Sequence, residues 1–481
     1  MPSETGTGAV DAACSAVLHR DLKLAPSRVV SSSGLYIEFD NGRRILDATG
    51  GAAVSCIGHG DERVIEAIAA QARTLDYCHT MFYSCPSAED LCQQLIQSTG
   101  GQMARAVIVC SVQLKTRESI TGSEAMEAAM KLCRQYFLEL PTPEPSRTQF
   151  IARRESYHGT TLGALSVGGH AGRRKGYEPI LMQNVSHVSP CNAYRNKPDA
   201  ESVAEYVDRL AEELDAEFQR VGPQNVCAFI AETVVGAALG CVPAVEGYFK
   251  AVRAVCDRHG ALLVLDEVMC GMGRTGTMHA WEQEGVVPDI QTVGKGLGGG
   301  YAPIAGVLVG HRVTRALEEG SGRFSHGHTY QAHPISCAAA AQVHRIIREE
   351  GLVDNVLDTG KYLGSLLKQR LGHHRHVGDV RGRGLFWGIE FVKDKASKTP
   401  FERELDVGML VHQKGLDLTE DGGIMLYPGS GSVDGTLGDH ILIAPPYNVT
   451  MSQIDLIVSL TVMAIEAAFR DLTGCLPNSQ S

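Results

Sequence analysis

The chain has 481 residues, of which 44 are Lys or Arg and 55 are Asp or Glu, so its formal net charge is −11. This balance argues against a nucleic-acid-binding or membrane-surface protein, because both need a positively charged footprint. With 44% hydrophobic and 21% charged residues, the chain can bury a large core, which excludes an intrinsically disordered protein.

The cysteines and the first residues of the sequence indicate the cellular compartment in which the protein is expected. Fourteen cysteines are scattered without a C-x-x-C pair, which argues against a zinc ribbon or a disulfide framework and favours reduced thiols. Residues 1–25 contain acids and lack a basic start followed by an apolar block, so no secretory signal is predicted. No run of 18 apolar residues occurs, so no membrane span is predicted. We therefore expect a cytoplasmic protein.

The first predicted element is a hairpin, with Leu35–Phe39 and Arg44–Asp47 as strands and Asn41-Gly42 as its tight turn. From about residue 60 onward, short apolar β-branched runs alternate with amphipathic stretches, as in a mostly parallel sheet flanked by helices. The predicted strands are Val107–Cys110, Phe150–Ala152, Ala228–Ala231, Leu262–Asp266, Ile290–Val293 and Ala305–Val309. Gly372–Gly382 is predicted to be a loop or a short strand.

The amphipathic stretches have the apolar spacing of helices that cover a sheet. They are Glu124–Leu138, Ser202–Arg220, Tyr248–His259, Ser336–Glu350, Asp354–Leu371 and Met451–Leu472, the last with Thr450 as a candidate N-cap. The pattern predicts an α/β protein with a large central domain at residues 61–350. Residues 1–60 and 351–481, from the two ends of the chain, are expected to form a smaller α+β domain.

One predicted strand ends in two carboxylates. Leu262–Asp266 is followed by Glu267, and ligands of parallel sheets bind at the carboxyl ends of strands, although a solvated pair of acids is the alternative. The segment Gly271–Gly276 satisfies G-x-G-x-x-G. Because other residues separate it from the strand and no crossover helix clearly follows, we reject a dinucleotide fingerprint.

A lysine follows the next predicted strand. Lys295 lies between Gly294 and Gly296, whereas a phosphate-binding Walker loop would have Ser or Thr after the lysine. An ordinary surface lysine is one interpretation. The other is a Schiff-base amine held against a planar cofactor, because the flanking glycines permit a close backbone approach.

These motifs resemble, in the same order, those of the class III pyridoxal-phosphate aminotransferases. The resemblance rests on Asp266–Val268, Gly273–Gly276 and Pro288–Gly296, and it runs from about residue 35 to residue 470. Further motifs similar to the family's cofactor or dimer-contact elements are Asp47–Gly51, Gly122–Ala125, Ser156–Gly159, Glu232–Gly236, Gly327–Tyr330 and His333-Pro334. The resemblance implies the fold of type I pyridoxal-phosphate enzymes, with a mostly parallel seven-stranded sheet in the large domain.

The resemblance also implies roles for individual residues. Asp266 would keep the ring nitrogen of pyridoxal phosphate protonated. Lys295 would form the Schiff base with the cofactor and then move a proton during amino transfer. Tyr157 would pack on the face of the ring. The resemblance also assigns His158, Glu232 and Val268 to the expected cofactor site, and no metal is expected.

The phosphate end of the cofactor is assigned in the same way. Gly122 and Ser123, at a helix N-terminus, would bind the phosphate through backbone amides and a hydroxyl. Thr329 would reach that phosphate from the neighbouring subunit, which implies a homodimer. The sequence departs from the family here, because Val112–Thr121 is inserted between the strand at Val107–Cys110 and Gly122. This segment is either an added loop or an artefact of the gene model, such as retained non-coding sequence.

Other departures concern the substrate. Thr160 stands where the acetylornithine branch has a carboxylate-binding arginine, Ala237 where the ornithine type has a gating glutamate, and Met269 where that type has a glutamine. These residues resemble the ω-amine:pyruvate and diaminopelargonate-like branch. Arg381 matches the family's substrate-carboxylate arginine, which suits a bidentate grip on a keto acid, although a surface arginine is the alternative. His373, His374 and His376 nearby are interpreted as solvated and not as metal ligands.

Together these observations predict an aminotransferase that moves an amino group from an amine or ω-amino acid to a keto acid, with pyruvate expected, by a ping-pong mechanism. Decarboxylases, aminomutases and phospholyases share the fold, so another pyridoxal-phosphate reaction is one alternative. A catalytically impaired subunit is a second alternative, because the phosphate loop is interrupted.

Overall fold

The computed structural model describes residues 15–23, 26–110, 121–419 and 422–475. Its strands are β1 (Val29–Ser33), β2 (Tyr36–Phe39), β3 (Arg44–Asp47), β4 (Met103–Val109), β5 (Gln149–Arg153), β6 (Val185–Val188), β7 (Val226–Glu232), β8 (Val234–Val235), β9 (Val242–Pro243), β10 (Leu262–Asp266), β11 (Ile290–Val293), β12 (Ala305–Gly310), β13 (Val377–Arg383), β14 (Phe386–Phe391), β15 (Ile424–Met425), β16 (Tyr427–Gly429) and β17 (His440–Ile443). Its helices are α1 (Gly50–Ala53), α2 (Glu62–Thr74), α3 (Pro86–Ser98), α4 (Thr121–Glu139), α5 (Leu162–Val167), α6 (Ala171–Arg174), α7 (Ala193–Asn196), α8 (Val203–Val221), α9 (Tyr248–Arg258), α10 (Trp281–Glu284), α11 (His311–Glu319), α12 (Pro334–Glu349), α13 (Leu352–Leu371), α14 (Val407–Asp417) and α15 (Met451–Cys475).

The largest sheet has seven strands in the order β4-β12-β11-β10-β7-β5-β6. Strand β12 is antiparallel to both of its neighbours, and the other pairs are parallel. This confirms the mostly parallel seven-stranded sheet, and all six predicted strands belong to it. Strand β6 was not predicted, because its four residues, Val-Ser-His-Val, lack a continuous apolar run.

Helices cover both faces of this sheet, as the alternation of side chains along β10 illustrates. Leu262 and Val264 lie in one buried cluster with residues of α4, whereas Leu263 and Leu265 lie in another with residues of α8 and α9. Because both faces are buried, the strand is a continuous apolar run, as parallel strands usually are. Its last residue, Asp266, is therefore placed at the carboxyl edge of a rigid layer.

The two ends of the chain meet in smaller sheets. Strands β1, β2, β3 and β15 form one four-stranded sheet, in which β3 near the N-terminus pairs in parallel with β15 near the C-terminus. Strands β13, β14, β17 and β16 form an antiparallel sheet. The predicted hairpin is confirmed by the pairing of β2 with β3. The domain boundaries near residues 60 and 350 stay predictions.

Helix α15 was predicted with an N-cap at Thr450. Thr450 Oγ1 accepts the Gln453 amide at 3.3 Å, and Gln453 Oε1 accepts the Thr450 amide at 2.9 Å, which confirms the cap. Within the described residues, Met451–Leu472 is the one segment long and apolar enough for a membrane span, and half of it is buried in the protein. Its inner side chains, such as Ile457 and Ile465, belong to the core of the terminal sheets, so we describe it as a core helix.

Candidate active site

The predicted cofactor residues meet because neighbouring parallel strands end at the same level. Asp266 at the end of β10 is in register with Glu232 at the end of β7 and with Thr292 on β11. Tyr157 follows β5, and Lys295 follows β11. The site therefore lies at the carboxyl edge of the central sheet, where open α/β sheets bind ligands.

Asp266 is a buried carboxylate with three hydrogen-bond donors. His158 Nδ1 lies 2.8 Å from Oδ2, and the Val268 amide and the Thr292 hydroxyl donate to Oδ1 at 3.0 and 3.1 Å. These bonds fix the plane of the carboxylate and stabilise its charge in a buried place. A buried carboxylate held in this way suits the protonated nitrogen of a pyridine ring.

Glu232 lies next to Asp266 but faces backbone amides. Its Oε1 accepts the Tyr157 amide at 3.0 Å, and its Oε2 accepts the Gly236 amide at 2.9 Å. Burial raises the pKa of Glu232. The carboxylate thus holds the loop of Tyr157 against the turn that begins at Gly236. A direct contact of Glu232 with the cofactor stays a prediction.

The phosphate end of the predicted site is a crowded helix N-terminus. Ser123 Oγ accepts the Thr160 amide at 3.0 Å, and a side chain on Gly159 would overlap with Ser123. A Cβ on Gly122 would lie 2.8 Å from Val268 Cγ1, and one on Gly294 would lie 3.3 Å from the same atom. Val268 therefore fills the space between the start of α4 and the lysine loop.

Lys295 has a left-handed backbone conformation, with φ +45°. This region is sparsely populated by residues other than glycine, so the surrounding structure must hold it there. The carbonyl of Lys295 accepts the amides of Gly298 and Gly299, each at 3.1 Å. The strained backbone fixes the direction in which the half-buried side chain leaves the loop.

The comparisons with known proteins agree with this geometry. The family "Aminotransferase class-III" matches residues 19–465. An aminotransferase of Gibberella zeae is 52% identical over 94% of this chain and 86% of its own, and an uncharacterized aminotransferase of Schizosaccharomyces pombe is 48% identical over 92% and 94%. A solved amine transaminase from an uncultivated Pseudomonas species, in its pyridoxal-phosphate-bound form, is 31% identical over 98% of both chains, with a TM-score of 0.83.

The chain is a class III aminotransferase. Its fold is that of type I pyridoxal-phosphate enzymes, and pyridoxal phosphate is its cofactor. Both conclusions confirm what the sequence motifs predicted. The aminotransferase acts on an amine and a keto acid, as its family does.

The residues present fit this cofactor. A Cβ on Gly122 or Gly159 would overlap with Val268 or Ser123, so only glycine allows the close backbone packing at the N-terminus of α4. The backbone amides of a helix N-terminus suit a phosphate. When bound, the cofactor supplies an electron sink for the substrate carbon. The Asp266 carboxylate would hold the proton on the ring nitrogen. The Lys295 amine would hold the cofactor and move the proton at the substrate carbon.

The remaining predicted residues lie around this centre. Tyr157 is half-buried and packs against an apolar cluster that includes Val235 and Leu239, and the Arg173 guanidinium lies 4.6 Å from its ring centre. Thr329 is exposed, and its carbonyl accepts the Tyr77 hydroxyl at 3.1 Å. The inserted segment Val112–Thr121 lies outside the described residues except for Thr121, where α4 begins.

Arg381 is fully engaged within the protein. Its side chain is 8% exposed, and it lies 2.6 Å from Glu390 and 3.0 Å from Asp379. Its Nε donates to the Gly240 carbonyl at 2.9 Å, and Nη2 donates to the Leu239 carbonyl. The alternative of a surface arginine is therefore wrong. Its role toward the substrate stays a prediction.

The interpretation of the three histidines as solvated is wrong for two of them. His373 is exposed, but the His376 ring stacks on Phe469 at 4.7 Å and His374 packs on Phe469 at 5.2 Å. Phe469 lies on α15, far away in sequence, so no local pattern could predict this packing. Their role is structural, at the junction of β13 and α15.

Two contributors to the site, Thr292 and Gly159, have no role assigned from the sequence. Thr292, which bonds to Asp266, could have been found from the register of two adjacent parallel strands. Gly159 lies in the motif Ser156–Gly159, and its φ of +128° together with its close approach to Ser123 shows that only glycine fits there.

Proposed function

We propose that the aminotransferase moves the amino group of a primary amine or an ω-amino acid to pyruvate by a ping-pong mechanism. The observation that carries this proposal is the apolar wall beside the cofactor residues. A Cβ on Gly236 would lie 3.2 Å from Phe386 and would overlap with Met269, so these two side chains close tightly on the turn next to Glu232. Met269 is a partly exposed residue that packs on a buried apolar cluster, which includes Phe386. An apolar side chain here suits donors with an apolar substituent.

Spectroscopy tests the amino-transfer half of this proposal. The purified protein should show a visible cofactor band that bleaches with 1-phenylethylamine or β-alanine and returns with pyruvate. Alanine should then form in an amount equal to the amine consumed. Release of carbon dioxide or phosphate without alanine would contradict the proposal and favour a decarboxylase or phospholyase. If the visible band returns with 2-oxoglutarate and not with pyruvate, only the assigned acceptor is contradicted.

We further propose that the active unit is a homodimer and that Thr329 serves the partner's site. An exposed apolar surface adjoins Thr329, with exposed fractions of 75% for Met81, 71% for Phe82 and 45% for Tyr330. Such a patch on a soluble protein usually marks a protein interface. The bond from Tyr77 to the Thr329 carbonyl places the threonine on this surface.

Subunit mixing tests this arrangement. Lys295→Ala and Thr329→Ala variants should each be weakly active, and refolding them together should restore activity. In the mixed dimer, one site would combine Lys295 of one subunit with Thr329 of the other. A monomeric protein, or mixed subunits no more active than the sum of the two variants, would contradict the proposal.

A cytoplasmic location is proposed as well. It is supported by the free thiols of the cysteines in the described parts of the chain. Cell fractionation of the tagged full chain tests it, and recovery with an organelle would contradict it.

A further inference from the structure

We propose that Arg381 is a positioning residue for Tyr157, and that it is not the group that binds the substrate carboxylate. The guanidinium of Arg381 is fully occupied within the protein. All three of its nitrogens are engaged, by Glu390 and Asp379 on one side and by the carbonyls of Gly240 and Leu239 on the other. A bidentate grip on a substrate would have to break these buried bonds, each of which is charge-assisted.

The carboxylate partners of Arg381 are themselves held in place. Glu390 is fully buried and also accepts a bond from Arg195 Nε at 2.7 Å. Removing Arg381 from this cluster would leave a buried carboxylate with one partner fewer, which is strongly unfavourable. The cluster thus keeps the guanidinium directed at the two carbonyls.

Those two carbonyls belong to a tight turn between β8 and β9. The amides of Gly240 and Cys241 donate to the Gly236 carbonyl at 2.8 and 3.2 Å, which closes the turn. The Gly236 amide donates to Glu232, whose other oxygen accepts the Tyr157 amide. A continuous set of hydrogen bonds therefore runs from Arg381 through this turn to the backbone of Tyr157.

Apolar contacts also connect this turn to Tyr157. Val235, Ala238, Leu239 and Val242 form a buried cluster against which the ring of Tyr157 packs. On the opposite side, a side chain on Gly388 would overlap with the Gly240 carbonyl, so β14 supports the turn from behind. Displacing the turn would therefore move both the backbone and the ring of Tyr157, the residue expected to pack on the cofactor.

The test is Arg381→Lys in the full chain, which keeps a positive charge for Glu390 but loses the forked geometry that reaches two carbonyls. The matched control is Arg383→Lys on the same strand, whose partners are Glu284 and the Ala244 carbonyl. We expect the Arg381 variant to bind pyridoxal phosphate about tenfold more weakly and to change the visible circular dichroism of the bound cofactor. The control should change neither.

Substrate pairs separate positioning from carboxylate binding. β-Alanine has a carboxylate where propylamine has a methyl group. A positioning role predicts that Arg381→Lys slows the amine half-reaction by the same factor with either donor. A selective rise in KM for β-alanine, with unchanged cofactor affinity and dichroism, would overturn the proposal. If the wild type accepts neither amine, the proposed donor class fails, whereas cofactor affinity and dichroism still decide the role of Arg381.

Gly388→Ala is a second variant that leaves Arg381 intact. Its Cβ would displace the Gly240 carbonyl, so it should reproduce the loss of cofactor affinity without any change of charge. If a folded Gly388→Ala protein keeps the cofactor affinity and dichroism of the wild type, the proposed connection from Arg381 through the turn to Tyr157 is contradicted.

Discussion

Asp266 and Glu267 are neighbours in sequence, but they lie in regions of opposite character. The carboxylate of Asp266 lies at the predicted cofactor site, with His158 and Thr292 at its sides. The carboxylate of Glu267 faces the protein interior, where it accepts the Thr233 hydroxyl, the Ala280 and Trp281 amides and the Gln291 side chain, at 2.7 to 2.8 Å. One strand end thus supplies one group for chemistry and one for stability.

The difference follows from how many donors each carboxylate meets. Four donors occupy Glu267, so it has little capacity left for a ligand. Its burial raises its pKa to about 7 in spite of these donors. Changes on the Asp266 side should therefore alter catalysis, and changes on the Glu267 side should alter folding.

The largest effect is expected on the catalytic side, from Lys295→Ala. Without the amine, no group of this loop can hold the cofactor covalently or move the proton at the substrate carbon, so turnover should fall by more than about a thousandfold. The thermal unfolding temperature should change little, because the half-buried side chain contributes little to the core. Transamination rates measured with 1-phenylethylamine and pyruvate check this, and substantial residual turnover would refute the role assigned to Lys295.

Asp266→Asn should have the next largest effect. The amide keeps the size of the side chain but carries no charge to hold a proton on the ring nitrogen, so kcat should fall by about a hundredfold or more. Rapid-mixing measurements of each half-reaction would show whether both slow together, as a loss of the electron sink requires. A variant with normal kcat and a lower unfolding temperature would make Asp266 a structural residue like Glu267.

The cofactor side of this comparison could be predicted from sequence because each of its motifs is local. Asp266, Lys295, Tyr157 and Ser123 each lie within a few residues of a strand end or a helix start, and parallel strands bring such ends together. The carbonyls that Arg381 contacts belong to Gly240 and Leu239, 141 and 142 residues earlier in the chain, so its environment depends on contacts with a distant segment. No spacing in the sequence indicates these contacts.

Glu267→Gln tests the interior side. A glutamine can accept with one atom only, so two of the four donors would face an NH2 group, which should lower the free energy of unfolding by about 2–3 kcal/mol. At 20 °C the folded variant should keep kcat within about threefold of the wild type, since Glu267 does not face the site. Denaturant titration and steady-state rates check both parts. A large loss of kcat at unchanged stability would erase the distinction between the two carboxylates.

The smallest effect is a change in pH dependence, from His279→Gln. His279 lies behind Glu267, with Nδ1 3.0 Å from Gln291 and Nε2 3.0 Å from Ser98, and burial lowers its pKa to about 3. A histidine with a depressed pKa in the folded state is protonated first in the unfolded state, so its contribution to stability should fall as pH drops from about 6.5 toward 3.

At pH 5 this effect should cost the wild type about 2 kcal/mol relative to pH 7.5, a loss that glutamine would not incur. Between pH 7.5 and pH 5, urea titrations should therefore show a change in stability that is about 2 kcal/mol more favourable for His279→Gln than for the wild type, because the raised pKa of Glu267 acts equally in both proteins. His373→Gln, at an exposed position, should match the wild type. If the unfolding free energy of His279→Gln changes between the two pH values as that of the wild type does, His279 does not cause acid sensitivity. The interior region would then stabilise the fold through packing and not through a neutral histidine.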